Sequence, residues 1–371
     1  MLKHLKLTNF RNHANFEVKL DKTTVFVGKN GCGKSNILEA IALLSFCRSF
    51  RDDDKKNLVK LGADFARITG DNAEIFLQKN PNFIFQAKEN GVIKKQSDFI
   101  GRLRSVVFSP ETMAIITGSP RYRRKFLDIM ISQSDRQYLR ALVRYEKVRL
   151  ERNSLLQRIR ANVASESELD FWDKELIIEG CSIIESRQKT ITYLNTKLSK
   201  VYSKISGRTD QLDLNYENNV IDCRASSPFQ ASKEPDGSQR QSDSFAEKLK
   251  SMRRREILSG RTFIGPHRDD LVFNLNPFDK LRAGLCNMAN FASRGEIRSA
   301  ILALKIAELE FLSEGETNQP LLLLDDIFSE FDHNRREHLC DLIETYQTII
   351  TTTEVEHLSK CLLGKAKIIQ L

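Results

Sequence analysis

The sequence predicts an α/β fold in which a mixed sheet, built from both ends of the chain, is interrupted by a mostly helical arm. Three observations predict it. A glycine-rich turn, GKNGCGKSN at 28–36, lies between a β-branched run and an apolar run of helical period. An aliphatic stretch closing on two acids, LLLLDDIF, occupies 321–328. Between them, from about residue 120, the apolar residues recur every three or four positions.

The first 27 residues alternate, with Leu5 and Leu7, then Phe16, Val18 and Leu20. This predicts a hairpin-like start leading into TTVFV at 23–27, a strand by its β-branched and aromatic content. After the turn, Ile37, Leu38, Ile41 and Leu44 stand at helical spacing. Gly28, Gly31 and Gly33 therefore occupy a strand-to-helix turn. Such a turn aims backbone N–H groups at one anion, and the helix N-terminus adds partial positive charge. Gly28, Gly33, Lys34 and Ser35 fit G-x-x-x-x-G-K-[ST]. In that pattern Lys34 reaches the outer phosphates of a nucleotide and Ser35 ligates magnesium. Short β runs continue to residue 108 (FARITG, EIFLQ, NFIFQAK, RSVVFS), and SPET at 109–112 reads as a helix start.

From about 120 the pattern is helical. Tyr138, Ala141, Leu142, Tyr145, Val148, Leu155 and Ile159 form one stripe, with Arg152 filling a slot. Trp172, Leu176, Ile183, Ile191, Leu194, Leu198, Val201 and Ile205 form a second, over about 166–205. Two long antiparallel helices follow, too short for an extended coiled-coil tether. Residues 222–246 are rich in Ser, Gln and Pro and read as a flexible loop. LKSMRRREILSG is helical and ends at Gly260. The expected division is residues 1–118 as the first part of a head, 119–255 as the arm, and 256–371 as the rest of the head.

The N-terminus has no apolar signal core, and the longest aliphatic run near the end, LLLL at 321–324, is far short of a membrane span. A cytoplasmic protein is expected. Seven scattered cysteines without C-x-x-C fit reduced thiols and argue against a zinc site. Net charge is +9, and residues 121–160 carry twelve Lys/Arg against four Asp/Glu, so nearly all the excess sits in the arm. A helix face with Arg140, Arg144 and Lys147 at spacings of four and three suits a phosphate backbone. Duplex DNA is the expected partner.

In LLLLDD the leucines bury a strand, Asp325 at its end is placed to hold magnesium, and Asp326 to polarise an attacking water. FASRGEIRSAILALKIAE at 291–308 puts Ser293 and Gly295 before a strong helix, a second anion-binding start. A phosphate loop, then a distant Ser-x-Gly-Glu helix, then an aliphatic strand ending in acids is the layout of an ABC-type P-loop ATPase head. A transport ATPase subunit shares that layout but leaves the basic arm unexplained.

The chain resembles the RecF family of bacterial DNA repair ATPases, related to SMC heads. The resemblance rests on LTNFRNH near the start, GKNGCGKSNILEAI, CRSFR at 47–51, SPRYRRKFLD at 119–128, GRTFIGPHRDDL at 260–271, the Ser293 segment and LLLLDDIFSEFD. It implies an ATP-sandwich homodimer, weak DNA-stimulated hydrolysis, DNA duplexes and single/double-strand junctions as ligands, and RecR- and RecO-like mediators as partners, with no membrane. Carried over by motif, Gly28, Lys29, Asn30, Gly31, Cys32, Gly33, Lys34, Ser35 and Asn36 bind ATP. Ser35 and Asp325 position Mg, and Lys34 and Asp326 are catalytic. Ser293, Gly295, Glu296 and Asp332 act in trans across the dimer, and Thr351 to Thr353 take the place of the switch residue. The signature reads SRGE, with Arg294 where many relatives carry Gln. The stretch before it, around 276–290, is longer than the family norm. No Gln-bearing loop is legible after the first helix.

Overall fold

The computed structural model describes residues 1–220, 237–276, 286–315, 318–329, 331–354, 356 and 364–371. The stretches 221–236 and 277–285, which hold much of the expected 222–246 loop and of the long segment before the signature, lie outside the described residues.

β1 (His4–Phe10) and β2 (His13–Lys19) form the antiparallel hairpin that their alternation predicts. β3 (Thr23–Val27) and α1 (Lys34–Phe46) flank the glycine turn. β4 (Phe65–Gly70), β5 (Ala73–Gln78), β6 (Ile84–Glu89) and β7 (Val92–Lys94) extend an antiparallel sheet in the order β2-β1-β4-β5-β6-β7. After the short α2 (Gln96–Phe99) comes β8 (Ser105–Phe108). SPET then starts a 3-10 turn through a Ser109–Thr112 capping box, ahead of α3 (Ala114–Thr117).

The arm begins with α4 (Pro120–Ser134), whose Pro sits where its missing N–H costs nothing. Asp135 caps α5 (Arg136–Arg160), accepting from the Gln137 and Tyr138 amides at 2.7 and 3.1 Å. α6 (Leu169–Ser206) packs beside α5 along the two sequence stripes and ends at left-handed Gly207. Arg152, the polar intruder in the α5 stripe, is fully buried. It bonds Asp173 of α6 at 2.7 Å and pairs at 2.7 Å with Glu256. β9 (Gln211–Glu217) follows, then α7 (Gly237–Ser259), which carries Glu256.

Residues 237–246 are therefore helical, not loop. Phe245 and Leu249 are buried at a helical interval, and the Phe245 ring lies against Gly180 of α6. Apolar period outweighs local Ser/Gln content there. The expected arm boundary at 255 falls inside α7.

β10 (Asp270–Asn276) pairs with β9 in full register and with the short β11 (Cys286–Asn287), making a third, three-stranded sheet that sequence reading missed. α8 (Met288–Phe291) and α9 (Arg294–Ser313) lead back to the head. β12 (Leu321–Asp325), α10 (His333–Thr345), β13 (Thr348–Thr352) and β14 (Lys367–Gln370) complete it. These late strands join β3 and β8 in one parallel sheet of order β14-β3-β13-β12-β8, so the interrupted sheet does draw on both ends of the chain. Every residue of β3, β12 and β13 is buried, as strands covered on both faces require. α1 lies between the parallel and antiparallel sheets and is buried nearly all round.

Cys32, Cys47 and Cys181 are free thiols. Cys340 is disulfide-bonded, which corrects the expectation that all seven are reduced. No described helix is long and apolar enough to cross a membrane.

Candidate nucleotide site and its neighbours

Parallel pairing sets β3, β13, β12 and β8 with their C-terminal ends at one edge, since Val27 opposes Thr352, Asp325 opposes Thr351, and Leu324 opposes Phe108. Open parallel sheets place ligands at that edge. The glycine turn leaves β3 there. Gly33, with φ 107°, caps α1, and a side chain on it would collide with Asn12 and His13. Only glycine permits both that backbone and that approach.

The LTNFRNH motif is the reason for the crowding. Asn12 Nδ2 donates to the Cys32 carbonyl at 3.0 Å, and Asn36 Nδ2 donates to Asn12 Oδ1 at 2.8 Å. His13 Nε2 lies 3.1 Å from the Gly33 carbonyl, which can only accept, so that nitrogen carries the proton. Burial holds the His13 pKa below its ordinary value, so the ring is neutral at pH 7. Arg11 forks onto Glu39 of α1 at 2.7 and 2.8 Å, and Ser49 of CRSFR also donates to Glu39. Arg51 donates to Asn36 Oδ1 at 3.1 Å. The β1–β2 turn and CRSFR thus clamp the loop from outside, a role that sequence reading did not assign to them.

Lys34 is buried, and its Nζ donates to the carbonyls of Gly28 and Lys29 at 2.6 and 2.9 Å. Ser35 Oγ and Thr351 Oγ1 each donate to Asp325 Oδ1 at 2.7 Å. Burial raises the Asp325 pKa, the Thr351 and Ser35 bonds oppose the rise, and Glu111 adds to it. A buried carboxylate pinned beside a loop hydroxyl is a fitting pair of donors for a divalent cation, whose charge would offset the burial. Glu111, just after β8, and Arg51 both act on Asp325 electrostatically, and sequence reading named neither as a site residue. Asp326 sits at φ 51°, its amide donating to the Thr351 carbonyl and hydroxyl, each at 3.1 Å. Lys29, Asn30 and Gly31 are exposed at the lip of the loop.

The residues expected to act in trans form a separate group. Ser293 caps α9 in a reciprocal box with Glu296, whose carboxylate accepts from the Ser293 amide at 2.8 Å. Arg208, just past α6, pairs with Glu296 at 2.6 Å. Arg335 of α10 donates to the Gly295 carbonyl at 3.0 Å and to Asp332 at 2.5 Å, joining the signature turn to the following loop. Ser293, Gly295 and Glu296 make no hydrogen bond with Lys34, Ser35 or Asp325 among the described residues. On the arm, Arg140, Arg144 and Lys147 are all exposed on α5, but Arg144 reaches across to Glu179 of α6 at 3.1 Å.

The RecF/RecN/SMC N terminal domain family profile matches residues 1–369. The DNA replication and repair protein RecF of Leptospira interrogans is 35% identical, over 99% of this chain and 95% of its own. That of Chloroflexus aggregans is 36% identical, over 98% and 96%. A solved structure of the recombination mediator protein RecF with ATP, in the RecFOR pathway, superposes with a TM-score of 0.84 at 31% identity, over 96% of this chain and 93% of that one. An SMC head bound to the C-winged helix domain of ScpA shares the fold, with a TM-score of 0.52 at 16% identity. The match runs through head, arm and both halves of the parallel sheet, and on it the chain belongs to the RecF family.

Proposed function

We propose that this chain is an ATP-dependent DNA-binding protein of recombinational repair and replication-gap processing. Two heads pair around ATP on DNA, and slow hydrolysis releases them. The observation that carries the reading is the meeting of Ser35 and Thr351 on Asp325 at the carboxyl edge of the parallel sheet, with Lys34 buried in the loop beside Ser35. Support also comes from the relatives named for DNA replication and repair and from the RecF structure described with ATP.

Bound magnesium-ATP supplies the phosphoanhydride to be cleaved and a divalent charge on its phosphates. Lys34 gives up its loop carbonyls to hold the outer phosphates. Ser35 and Asp325 would hold the metal, with Thr351 fixing the Asp325 rotamer. Asp326 orients the attacking water and takes its proton on the carboxylate. Ser293 and Gly295 of a second protomer close the site through the α9 N-terminus. The head comprises residues 1–118 and the last third of the chain, and the arm between them carries Arg140, Arg144 and Lys147 to the phosphate backbone. Hydrolysis is weak and stimulated by DNA, and RecR- and RecO-like mediators act with it.

The test is duplex affinity by fluorescence anisotropy, with and without ATP and magnesium. ATP-dependent tightening in wild type that Lys34→Met abolishes is expected. Equal affinity in every state would defeat the reading.

A further inference from the structure

Two motifs that the nucleotide site does not use, SPRYRRKFLD and GRTFIGPHRDDL, meet at the foot of the arm. Arg123 of the first forks onto Asp270 of the second at 2.6 and 2.9 Å. Arg124 donates to the Asp269 carbonyl at 2.6 Å. Beside this seam lies a cavity of about 850 Å³, walled by α4, α5, α6 and the 260–268 segment. Arg121, Arg124, Arg149, Arg187, Arg261 and Arg268 line it, against the carboxylates of Asp128 and Glu146.

The floor is fixed. Arg187 is buried and bonds Asp128 at 2.8 Å, the Pro266 carbonyl at 2.8 Å and the Tyr138 hydroxyl at 3.1 Å. Tyr145 Oη lies 2.6 Å from His267 Nδ1, whose other ring nitrogen lies 3.1 Å from the Thr262 carbonyl. That carbonyl can only accept, so Nδ1 accepts from the tyrosine. Burial pushes the His267 pKa down to about 3, so the ring adds no charge. Gly265, at φ 127°, lets the segment close on α5, because a Cβ there would meet the Tyr145 hydroxyl.

The charge is not cancelled within the cavity. Arg187 is spent on Asp128, and Arg149 on Glu146 at 2.8 Å. Arg261 and Arg268 form no ion pair among the described residues, and Arg268 lies over the Phe263 ring. Arg124 is half-buried, and burial and the neighbouring Arg187 lower its pKa against the opposing pull of Asp270, Asp128 and Asp269. Forked guanidiniums match oxyanions in two-point contacts. Asn153, Ser154 and Gln157 add polar edges, and Leu142, Leu150 and Ile183 an apolar wall. A volume on this scale suits a small ligand. The mixture of charged end, polar edge and apolar face is that of a nucleotide, which an acidic peptide does not match as well.

We propose that this cavity is a second anion site that takes a phosphate-terminated nucleotide, either free or at the end of a DNA strand. It is distinct from the phosphate loop and from the Arg140 face. At 100° per residue, the cavity-lining Glu146, Arg149, Asn153 and Gln157 lie on the opposite flank of α5 from Arg140, Arg144 and Lys147. The strand-end form rests on the DNA-binding reading above; the free-nucleotide form does not.

The test compares wild type with Arg261→Ala/Arg268→Ala, two exposed positions outside the nucleotide site. Calorimetry with inorganic pyrophosphate and with thymidine 5′-phosphate is run beside anisotropy with single-stranded oligonucleotides ending in 5′-phosphate or 5′-hydroxyl. A closed dumbbell duplex, which has no ends, reports general DNA binding. The expected result is at least about tenfold weaker binding of pyrophosphate and thymidine 5′-phosphate by the variant, with dumbbell affinity retained. Preference for phosphorylated ends in wild type alone assigns the strand end as the source, and its absence assigns the free nucleotide. Equal binding of these anions by wild type and variant would overturn the site. So would binding of oligoglutamate in place of every nucleotide probe. Loss of dumbbell binding by wild type itself would instead defeat the DNA reading and leave the anion site standing on the calorimetry.

Discussion

The Ser35 hydroxyl donates to the Asp325 carboxylate across 2.7 Å, although the two residues stand 290 positions apart. The whole arm is inserted between them. Thr351, opposite Asp325 in the parallel register, donates to the same oxygen. This three-residue contact ties the two ends of the chain into one candidate nucleotide site.

Lys34→Met removes the buried point charge of the loop, whose other lysine, Lys29, is exposed at the lip. One charge-assisted contact is worth about 1.5–3 kcal/mol, so ATP affinity should fall roughly ten- to a hundredfold. Turnover should be lost. Calorimetry and a phosphate-release assay check both, and unchanged turnover would remove the loop from the chemistry.

Asp325→Asn separates metal binding from stability. The native Asp325 pKa is raised by burial, so the folded state holds its proton more tightly than the unfolded chain does. Its ionised form therefore costs stability at neutral pH, and that cost disappears as pH falls through the raised pKa. The metal-free variant should melt higher than wild type at pH 7, with the difference shrinking in acid. Its magnesium-dependent turnover should vanish. Melting curves across pH without metal check the sign, and a lower melting temperature at pH 7 would reverse it.

Arg152→Ala tests how the arm is held. It leaves Glu256 buried without that cation, while Asp173 keeps Arg253 at 2.6 Å. Removing one partner of a buried pair costs about 3–5 kcal/mol. Urea denaturation should show an arm destabilised on that scale, and a change under about 1 kcal/mol would mean that the contact is not structural.

Arg140→Ala/Arg144→Ala/Lys147→Ala tests the arm as a DNA surface. Each phosphate neutralised contributes about −0.9 to the log–log salt slope. Arg144 is already drawn to Glu179, so the slope should flatten by about two units. ATP binding should be intact. An unchanged slope would mean that this face is only solvated.

Much of this was legible in the sequence because local pattern and global fold agree. The glycine turn, the α5 and α6 stripes and LLLLDD each keep one period in one environment. The Phe245 stretch was misread because its Ser and Gln content hid a buried residue at helical spacing. β9 and β10 were missed because each strand gains its meaning only from a partner some 60 positions away. The clamp of Asn12, His13 and Arg51 on the loop was visible as motifs but not as contacts. Nothing local announces that a hairpin turn will close on a glycine.

The central claim, ATP-driven pairing of two heads, is tested most directly by sedimentation equilibrium with and without ATP and magnesium. The account predicts monomer without nucleotide and dimer with ATP, with duplex DNA favouring the dimer further. Asp326→Asn should remain dimeric after wild type has hydrolysed its ATP, because the metal ligands stay while the base is lost. Ser293→Arg should bind ATP yet stay monomeric, since a bulky charge fills the cap that closes the opposing site. A Ser293→Arg protein that dimerises as wild type does, or a wild type whose mass ignores ATP, would contradict the account.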